Sequence, residues 1–291
     1  MTTAEQDLFP AEVVACRPIG RDDFMLTVRL ARPLARPLEG GHFFMLRTAG
    51  SDFPFLNRPF SVHDVRDHAG GAGGGSSGAT GPELDFVFKS VGRGTGCMAR
   101  ARPGDAVRLI GPLGQPFPAP RAGETTLLVA GGVGLPPLFL YLRRRQQMRR
   151  GENEPAQLLY GARMKDQLFE LAAAEKLGVP VRTATEDGSL GLHGRVDRLL
   201  AETLDTLRGQ PVRILTCGPD PMMAAVAALA RSRRVPCLVS LETLMACGFG
   251  VCNACAVPID DGKGAIARFA RACIDGPVVD GAQVLWHAAA H

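Results

Sequence analysis

The stretch TTLLVAGGVGLPPLFLYL, residues 125–142, decides the fold class of this chain. An apolar strand runs directly into a glycine-rich turn and then into a helix, which is the first unit of a doubly wound α/β fold. Such folds bind nucleotides at this turn, so Gly131, Gly132 and Gly134 are candidate cofactor-binding residues. The turn does not have the G-x-G-x-x-G spacing, and an ordinary tight strand-to-helix connection remains the alternative.

Strand-like and helix-like segments alternate downstream of this unit. Such alternation predicts right-handed crossovers and a doubly wound parallel sheet, which we assign to an α/β domain at residues 125–241. The predicted strands are 156–162, 181–185, 212–218 and 237–242, and the predicted helices lie near 135–150, 166–177, 195–207 and 221–232.

Further candidates lie where strands of this sheet end. Cys217 comes before Gly218 and a helix, which places it on the carboxyl edge of the sheet. Glu186 and Asp187 end another strand on that edge, where they can hydrogen-bond a ribose or a nicotinamide. A buried structural cysteine and a solvated turn are the respective alternatives.

Upstream, residues 11–111 contain short β-like segments separated by Pro, Gly and Asp. They predict a small antiparallel β barrel, assigned to residues 1–114. The Gly- and Ser-rich residues 69–81 predict a flexible hairpin extension, and the Pro-rich residues 115–124 predict a hinge into the α/β domain.

Two motifs in the predicted barrel suit a nucleotide ligand. In the first, RPFS, an arginine can hold a pyrophosphate and a serine can reach a ring atom. In the second, GRGTG, glycines precede a predicted helix (CMARA, residues 97–101) and form an anion site to which Lys89 adds charge. Each motif alone is equally explained by a turn, but both occur in one barrel at an interval suited to one ligand. The candidates are Arg58, Pro59, Phe60, Ser61, Lys89, Gly92, Gly94 and Thr95.

Four cysteines near the C-terminus follow a C-x4-C-x2-C pattern with a fourth cysteine downstream, which is the ligand spacing of a plant-type 2Fe-2S cluster. They are Cys247, Cys252, Cys255 and Cys273. Gly248 and Gly250 permit a tight loop that brings backbone N–H groups close to sulfide. Iron is favoured over zinc because a second short-spaced ligand pair is missing. We assign residues 242–291 to a separate cluster module.

Composition limits the classes of function. A chain of 291 residues with 46% hydrophobic residues can bury a core in each of two domains. The net charge of +4 is spread along the chain, which argues against a nucleic-acid partner. One local run of basic residues predicts a solvated helix face rather than a membrane or nucleic-acid patch. This run comprises Arg143, Arg144, Arg145, Arg149 and Arg150.

The chain has no recognisable leader and no long apolar window, so the sequence predicts a soluble cytoplasmic protein without a membrane partner. In that compartment the scattered cysteines are expected to be reduced thiols. These are Cys16, Cys97, Cys217 and Cys237. His42 and His63 are expected to be packed strand residues.

The motifs RPFS, GRGT, GPLG, AGGVGLPPL, TEDGSLG, CGPDPMM and SLETLMACG occur in an order that resembles the ferredoxin-reductase-like electron-transfer subunits of type B dihydroorotate dehydrogenase. The resemblance covers nearly the whole chain. It implies FAD in the barrel, NAD in the parallel-sheet domain and a 2Fe-2S cluster in the C-terminal module. It also implies that Gly132, Gly134 and Cys217 line the nicotinamide site, and that the candidates of the barrel bind FAD.

The function implied by the resemblance is part of pyrimidine biosynthesis. An FMN-containing catalytic subunit, in a heterotetramer with this chain, would oxidise dihydroorotate and pass electrons through the cluster and FAD to NAD⁺. A flavin is needed between them because the cluster carries one electron whereas nicotinamide accepts a hydride. One alternative is a related NAD(P)H-linked subunit of a hydrogenase or a ferredoxin-dependent transhydrogenase. A zinc-stabilised, non-enzymatic scaffold is an alternative of another class.

Overall fold

The structure is a computed structural model that describes residues 7–48, 56–67, 81–148 and 154–286. The predicted flexible hairpin at 69–81 lies outside the described residues, except for Gly81.

The N-terminal part folds as the predicted antiparallel barrel, which closes in the strand order β1-β2-β5-β4-β3-β6. Its strands are β1 (Asp7–Pro18), β2 (Asp23–Leu30), β3 (Phe43–Thr48), β4 (Arg58–Arg66), β5 (Glu83–Lys89) and β6 (Ala106–Leu113). The rings of Phe9 and Phe86 both meet the ring of Phe44 edge to face, with centroids 6.3 and 6.1 Å apart. These buried rings fill the barrel and exclude water from its interior.

A short helix, α1 (Arg93–Met98), follows the last barrel motif. The sequence predicted that the glycines precede this helix, and that boundary is wrong because the helix already begins at Arg93. Thr95 explains the early start, since its hydroxyl accepts the backbone N–H groups of Val91 and Gly92 at 3.0 and 3.2 Å. This capping interaction offsets the low helix propensity of glycine.

The second part is an α/β domain whose strand order matches the doubly wound prediction. Its strands are β7 (Thr125–Gly131), β8 (Ala156–Ala162), β9 (Val181–Thr185), β10 (Leu192–His193), β11 (Val212–Cys217) and β12 (Cys237–Ser240). Its helices are α2 (Leu135–Met148), α3 (Leu171–Glu175), α4 (Val196–Thr206) and α5 (Asp220–Arg233). The neighbours β7 and β11 are buried throughout, and the strand order reverses between them. Ligands of such sheets bind at this reversal point.

The C-terminal segment forms a separate two-stranded hairpin and adds one strand to the large sheet. The hairpin consists of β13 (Ala256–Asp260) and β14 (Ile266–Arg271), and β15 (Val278–Asp280) pairs antiparallel with β12. The sheet is therefore mixed, with an antiparallel edge strand that the sequence did not predict. The division into residues 1–114, 125–241 and 242–291 stays a prediction.

The arginine run was predicted to be a solvated face, which is wrong for Arg143, Arg144 and Arg145 of α2, because these are partly or fully buried, whereas Arg149 and Arg150 lie outside the described residues. Arg143 binds the buried carboxylate of Asp64 through two nitrogens, at 3.1 and 2.6 Å. Arg144 donates to the carbonyl of Leu38 at 2.6 Å, and Arg145 is only 3% exposed. The barrel supplies acceptors for the guanidinium groups of Arg143 and Arg144, which replace their contacts with water.

His42 and His63 are buried, as predicted, but only His63 lies in a strand, because His42 precedes β3. The ring of His63 stacks on Phe139 of α2 with centroids 4.2 Å apart. Burial lowers the pKa of each histidine to about 4. Both side chains are therefore neutral parts of the packing near neutral pH.

No helix in the described ranges combines the length and apolar character needed to cross a bilayer.

Candidate functional site

A cavity of about 240 Å³ lies where the barrel meets the other two parts of the chain. The barrel supplies Pro59, Phe60, Ser61 and Lys89 from its predicted ligand motifs. The remaining walls are mainly apolar, as a planar aromatic ring requires. They consist of Phe43, Val87, Phe88, Val133, Pro136, Leu241, Glu242, Thr243, Met245 and Pro277.

The two barrel motifs meet at Arg58 and Gly94. A Cβ added to Gly94 would lie only 2.1 Å from Arg58 Nε, so the guanidinium covers the position of the missing side chain. Arg58 also donates to the carbonyl of Leu56 through Nη1. Gly92 has open space on its Cβ side, with no atom within 4 Å. An arginine beside open glycine backbone suits a diphosphate group.

A second cavity, of about 490 Å³, lies at the carboxyl edge of the sheet, beside the point where its strand order reverses. The turn after β7 supplies Gly131 and Gly132 to its wall, and Glu186 lines it after β9. Gly132 has a φ of +50° and no atom within 4 Å of an added Cβ. Its open backbone allows a ligand to approach closely, as a dinucleotide diphosphate does in this fold.

Three residues predicted for the dinucleotide site do not line this cavity, namely Gly134, Asp187 and Cys217. A Cβ on Gly134 would lie 2.2 Å from the carbonyl oxygen of Cys217, so Gly134 allows the turn to pack against β11. The carboxylate of Asp187 accepts the backbone N–H and the hydroxyl of Ser189 at 3.0 and 2.6 Å. These bonds hold Asp187 in a local turn, whereas its neighbour Glu186 lines the cavity.

Cys217 lies at the carboxyl end of β11 and is 2% exposed. Its sulfur is 3.9 Å from Oε1 of Glu242. Burial, reinforced by Glu242, raises the pKa of this thiol well above its ordinary value. Cys217 lines neither cavity, whereas Glu242 lines both.

Sequence reasoning missed several residues that line the second cavity. Glu242 belongs to the motif SLETLMACG. It lies two residues after β12, and this position at the carboxyl end of a strand could have identified it as a candidate. Arg163 directly follows β8, so its place at this edge of the sheet could also have been predicted from the sequence. Asp23 comes from the barrel and reaches the cavity only through the packing of the two domains, so it had no local signal.

Cys247, Cys252 and Cys255 lie on the loop before β13, and Cys273 lies in the turn after β14. The sulfurs of Cys255 and Cys273 are 3.2 Å apart. Burial by itself raises the pKa of Cys247, but backbone N–H groups of Cys252, Phe249 and Val251 lower it to about 6. Burial and Cys255 raise the pKa of Cys273 to about 12.

The backbone around Cys247 suits an anionic sulfur centre. Gly248 and Gly250 have φ values of +86° and +82°, which aim successive N–H groups at the sulfur. Within the described ranges, no three His, Cys, Asp or Glu groups are arranged to hold a metal ion. The thiolate-stabilising loop and four thiols match the donor chemistry of an iron-sulfur cluster.

Comparison with known proteins decides the family. The profile of the iron-sulfur cluster binding domain of dihydroorotate dehydrogenase B matches residues 242–285, and that of the oxidoreductase NAD-binding domain matches residues 128–228. The chain is 32% identical to the dihydroorotate dehydrogenase B (NAD(+)) electron transfer subunit of Desulforamulus reducens, covering 96% of this chain and 98% of the relative. This chain belongs to the family of dihydroorotate dehydrogenase B electron transfer subunits.

A second relative of this family and two solved structures of similar fold agree with this assignment. The electron transfer subunit of Geobacillus thermodenitrificans is 33% identical over 94% of this chain and 96% of its own length. An NADH-dependent reduced ferredoxin-NADP oxidoreductase structure matches with a TM-score of 0.74 and 25% identity, over 96% of this chain and 91% of that one. A ferredoxin reductase of carbazole 1,9a-dioxygenase, at 23% identity and a TM-score of 0.65, covers 81% and 68% of the two chains and shares the fold.

Membership of the dihydroorotate dehydrogenase B electron transfer family makes the chain an oxidoreductase subunit that uses FAD, NAD and a 2Fe-2S cluster. The barrel, the doubly wound sheet and the cysteine module occur in the predicted order. The sequence relatives give no support to a hydrogenase subunit, a transhydrogenase subunit or a zinc scaffold.

Proposed function

We propose that this chain takes electrons from a partner subunit that oxidises dihydroorotate and delivers them to NAD⁺. One observation carries the proposal: Lys89, Val133 and Glu242 line both cavities, so the two cavities share a wall. A flavin ring in the first cavity and a nicotinamide in the second would therefore be neighbours. This is the arrangement that hydride transfer between them requires.

The partner, in this proposal, is an FMN-containing dihydroorotate dehydrogenase catalytic subunit. Two copies of each subunit would form a heterotetramer, working in the cytoplasm in pyrimidine biosynthesis. Support comes from the relatives in D. reducens and G. thermodenitrificans, which are named as electron transfer subunits of dihydroorotate dehydrogenase B.

Residues of the barrel would hold FAD. The guanidinium of Arg58, beside Gly94, is placed for a bidentate contact with the diphosphate. Pro59, Phe60 and Ser61 line the apolar cavity that would receive the ring, and Lys89 supplies a positive charge at its edge. Thr95 shapes this site by capping α1.

Residues of the α/β domain would hold NAD. The open backbone of Gly132 is suited to the diphosphate, and Gly131 continues the same turn. Glu186 lines the cavity after β9, where a carboxylate can bind ribose hydroxyls. Glu242, whose carboxyl contacts Cys217, lines the wall that the two cavities share.

The cysteine loop would hold the 2Fe-2S cluster through Cys247, Cys252, Cys255 and Cys273. The loop packs on the barrel, since a Cβ on Gly248 would lie 2.4 Å from Cγ of Met45. Met245, two residues before Cys247, lines the first cavity. The proposed cluster therefore lies close to the proposed ring site, and short separations favour electron transfer. When bound, the cluster supplies single-electron transfer and FAD converts this into hydride exchange with NAD.

The test is to coexpress this chain with the dihydroorotate dehydrogenase catalytic subunit encoded in the same genome. The complex is purified anaerobically, and NADH formation from dihydroorotate and NAD⁺ is followed. We expect NADH formation only when both subunits are present. Reduction of the chain by NADH without any dihydroorotate-dependent turnover in the complex would assign the chain to another partner.

A further inference from the structure

Asp23 is a buried acid in the wall of the second cavity. It begins β2 and is 2% exposed. Among the described residues, its Oδ1 has no hydrogen-bond partner. Buried carboxylate oxygens are rarely left without a donor, because the lost contact with water is costly. Asp23 lines the cavity, so a molecule bound there is a candidate donor.

Lys89 is the ion-pair partner of Asp23. The two residues are opposite each other on β2 and β5, and Lys89 Nζ lies 3.8 Å from Asp23 Oδ1. Burial raises the pKa of Asp23 and the charge of Lys89 partly offsets this, but the separation exceeds the length of a hydrogen bond. Oδ1 can therefore still accept a hydrogen bond in the presence of the lysine.

The position of the pair identifies which half of the dinucleotide it faces. Asp23 and Lys89 are the contribution of the barrel to a cavity that otherwise belongs mostly to the α/β domain. Lys89 also lines the proposed ring cavity of the flavin, together with Glu242. Glu186, by contrast, follows β9, two strands away from the turn of Gly132. The pair therefore faces the nicotinamide half.

The chemistry of a carboxylate restricts the group that it binds. An ionised carboxylate only accepts hydrogen bonds, so diphosphate oxygens are repelled and a donor is required. The nicotinamide-side ribose carries hydroxyl donors and connects the diphosphate to the ring. The carboxyl of Glu242 already lies at the wall next to the ring site.

We propose that Asp23 is a binding residue for NAD, with Oδ1 accepting a hydrogen bond from a hydroxyl of the nicotinamide-side ribose. The barrel thus contributes directly to dinucleotide binding as well as to flavin binding. This inference deepens the proposed function and rests on its dinucleotide site alone, not on the identity of the partner subunit.

The test uses two probes that differ by this ribose. ADP-ribose carries both riboses and the diphosphate, whereas ADP lacks the nicotinamide-side ribose. Binding of each to the purified subunit, with FAD and cluster in place, is measured by calorimetry. We expect Asp23→Ala to weaken ADP-ribose about tenfold or more, as loss of a hydrogen bond to a charged group does, and to change ADP binding less than about twofold.

Two further variants control for effects of folding and charge. Asp23→Asn keeps an acceptor oxygen at nearly the same size, and we expect a smaller loss of ADP-ribose affinity than for Asp23→Ala. Asp22→Ala removes a neighbouring exposed carboxylate and should leave both affinities unchanged. The FAD content and thermal midpoint of each variant report on folding.

Wild-type affinity of Asp23→Ala for ADP-ribose would overturn the inference. Equal losses for ADP and ADP-ribose would also overturn it, because they would assign Asp23 a purely structural role. Neither measurement involves dihydroorotate or the partner subunit. Failure of this inference is therefore distinguishable from failure of the proposed function.

Discussion

The carboxyl group of Glu242 lies 3.9 Å from the sulfur of Cys217, on the wall that the two cavities share. Burial and then Asp220 raise the pKa of Glu242, although its contact with Cys217 acts in the opposite direction. A glutamate in this setting holds a proton more readily than a glutamate free in water. Because Glu242 lies between the proposed ring sites, it is the first residue to test by substitution.

Replacement of Glu242 by Gln should slow the reduction of bound FAD by NADH about tenfold or more, because a group that orients the nicotinamide loses its carboxyl. Stopped-flow absorbance measures this rate. FAD content should not change. Glu202→Gln, on the exposed surface of α4, is the control. A wild-type reduction rate in Glu242→Gln would contradict a role of Glu242 in the reduction of FAD by NADH.

Gly94→Ala should lower the affinity for FAD, because the new Cβ would lie 2.1 Å from Arg58 Nε and displace the guanidinium. The measurement is the ratio of FAD to protein after purification, followed by titration of the apoprotein. Gly96→Ala is a matched control on the same helix, since its Cβ would have Arg100 Nη1 as nearest atom, at 3.7 Å. Equal FAD content in both variants would contradict a role of Arg58 in FAD binding.

Gly132→Ala should weaken NADH binding while FAD stays bound. The added methyl group would project into the second cavity, and the φ of +50° adds backbone strain of about 1–2 kcal/mol. Gly123→Ala carries comparable strain at φ +76° without atoms nearby and outside the lining of that cavity. If the two variants weaken NADH binding to the same extent, backbone strain explains the loss and Gly132 is not part of the NADH site.

Much of the fold could be predicted because local sequence determines it. The strands β8 and β9 have the predicted bounds, since apolar runs there are flanked by proline and polar turns. The strand β15 was missed because three residues carry little pattern and it forms only by pairing with β12. The helix α3 is shorter than predicted, extending over Leu171–Glu175.

The site was less predictable than the fold, for the same physical reason. Glycine turns and the cysteine spacing are local patterns, and they led to Gly132 and to the cysteine loop. The ion pair of Arg143 with Asp64 and the place of Asp23 in a cavity arise from the packing of the barrel on the α/β domain. A single sequence shows which residues are charged but not which surfaces will cover them.

The buried histidines predict acid sensitivity of the fold. His63 has a pKa of about 4, with burial as the main cause. Asp85 and Asp64 act to raise this pKa, and Arg143 and Arg17 act to lower it. Between pH 6.5 and about 4 the unfolded chain binds more protons at this position, so the free energy of unfolding falls as the pH is lowered.

A pKa of about 4 in place of 6.5 corresponds to about 3 kcal/mol of stability, present above pH 6.5 and lost as the pH falls through 4. Urea unfolding at several pH values measures this loss. His63→Phe should reduce the pH dependence over that range, while His193→Gln, at an exposed position, should not. Identical pH profiles for wild type and His63→Phe would contradict the assignment.

Cys252→Ser should separate the two halves of electron transfer. Cys252 is exposed, and its loss should remove the iron-sulfur absorbance and most of the bound iron. Dihydroorotate-dependent NADH formation by the complex should then fall by about two orders of magnitude, because electrons lose their path from the partner. NADH should still reduce the bound FAD at nearly the wild-type rate, since the flavin and dinucleotide cavities adjoin without the cluster.

The control for this change is Cys16→Ser, a half-buried barrel cysteine whose sulfur lies 3.4 Å from the carbonyl of Met98. A serine hydroxyl can keep that contact, so iron, FAD and both activities should be retained. Full dihydroorotate-dependent turnover in Cys252→Ser would show that electrons bypass the cluster. Zinc in place of iron in the wild-type protein would contradict the cluster assignment itself, because zinc has no redox chemistry.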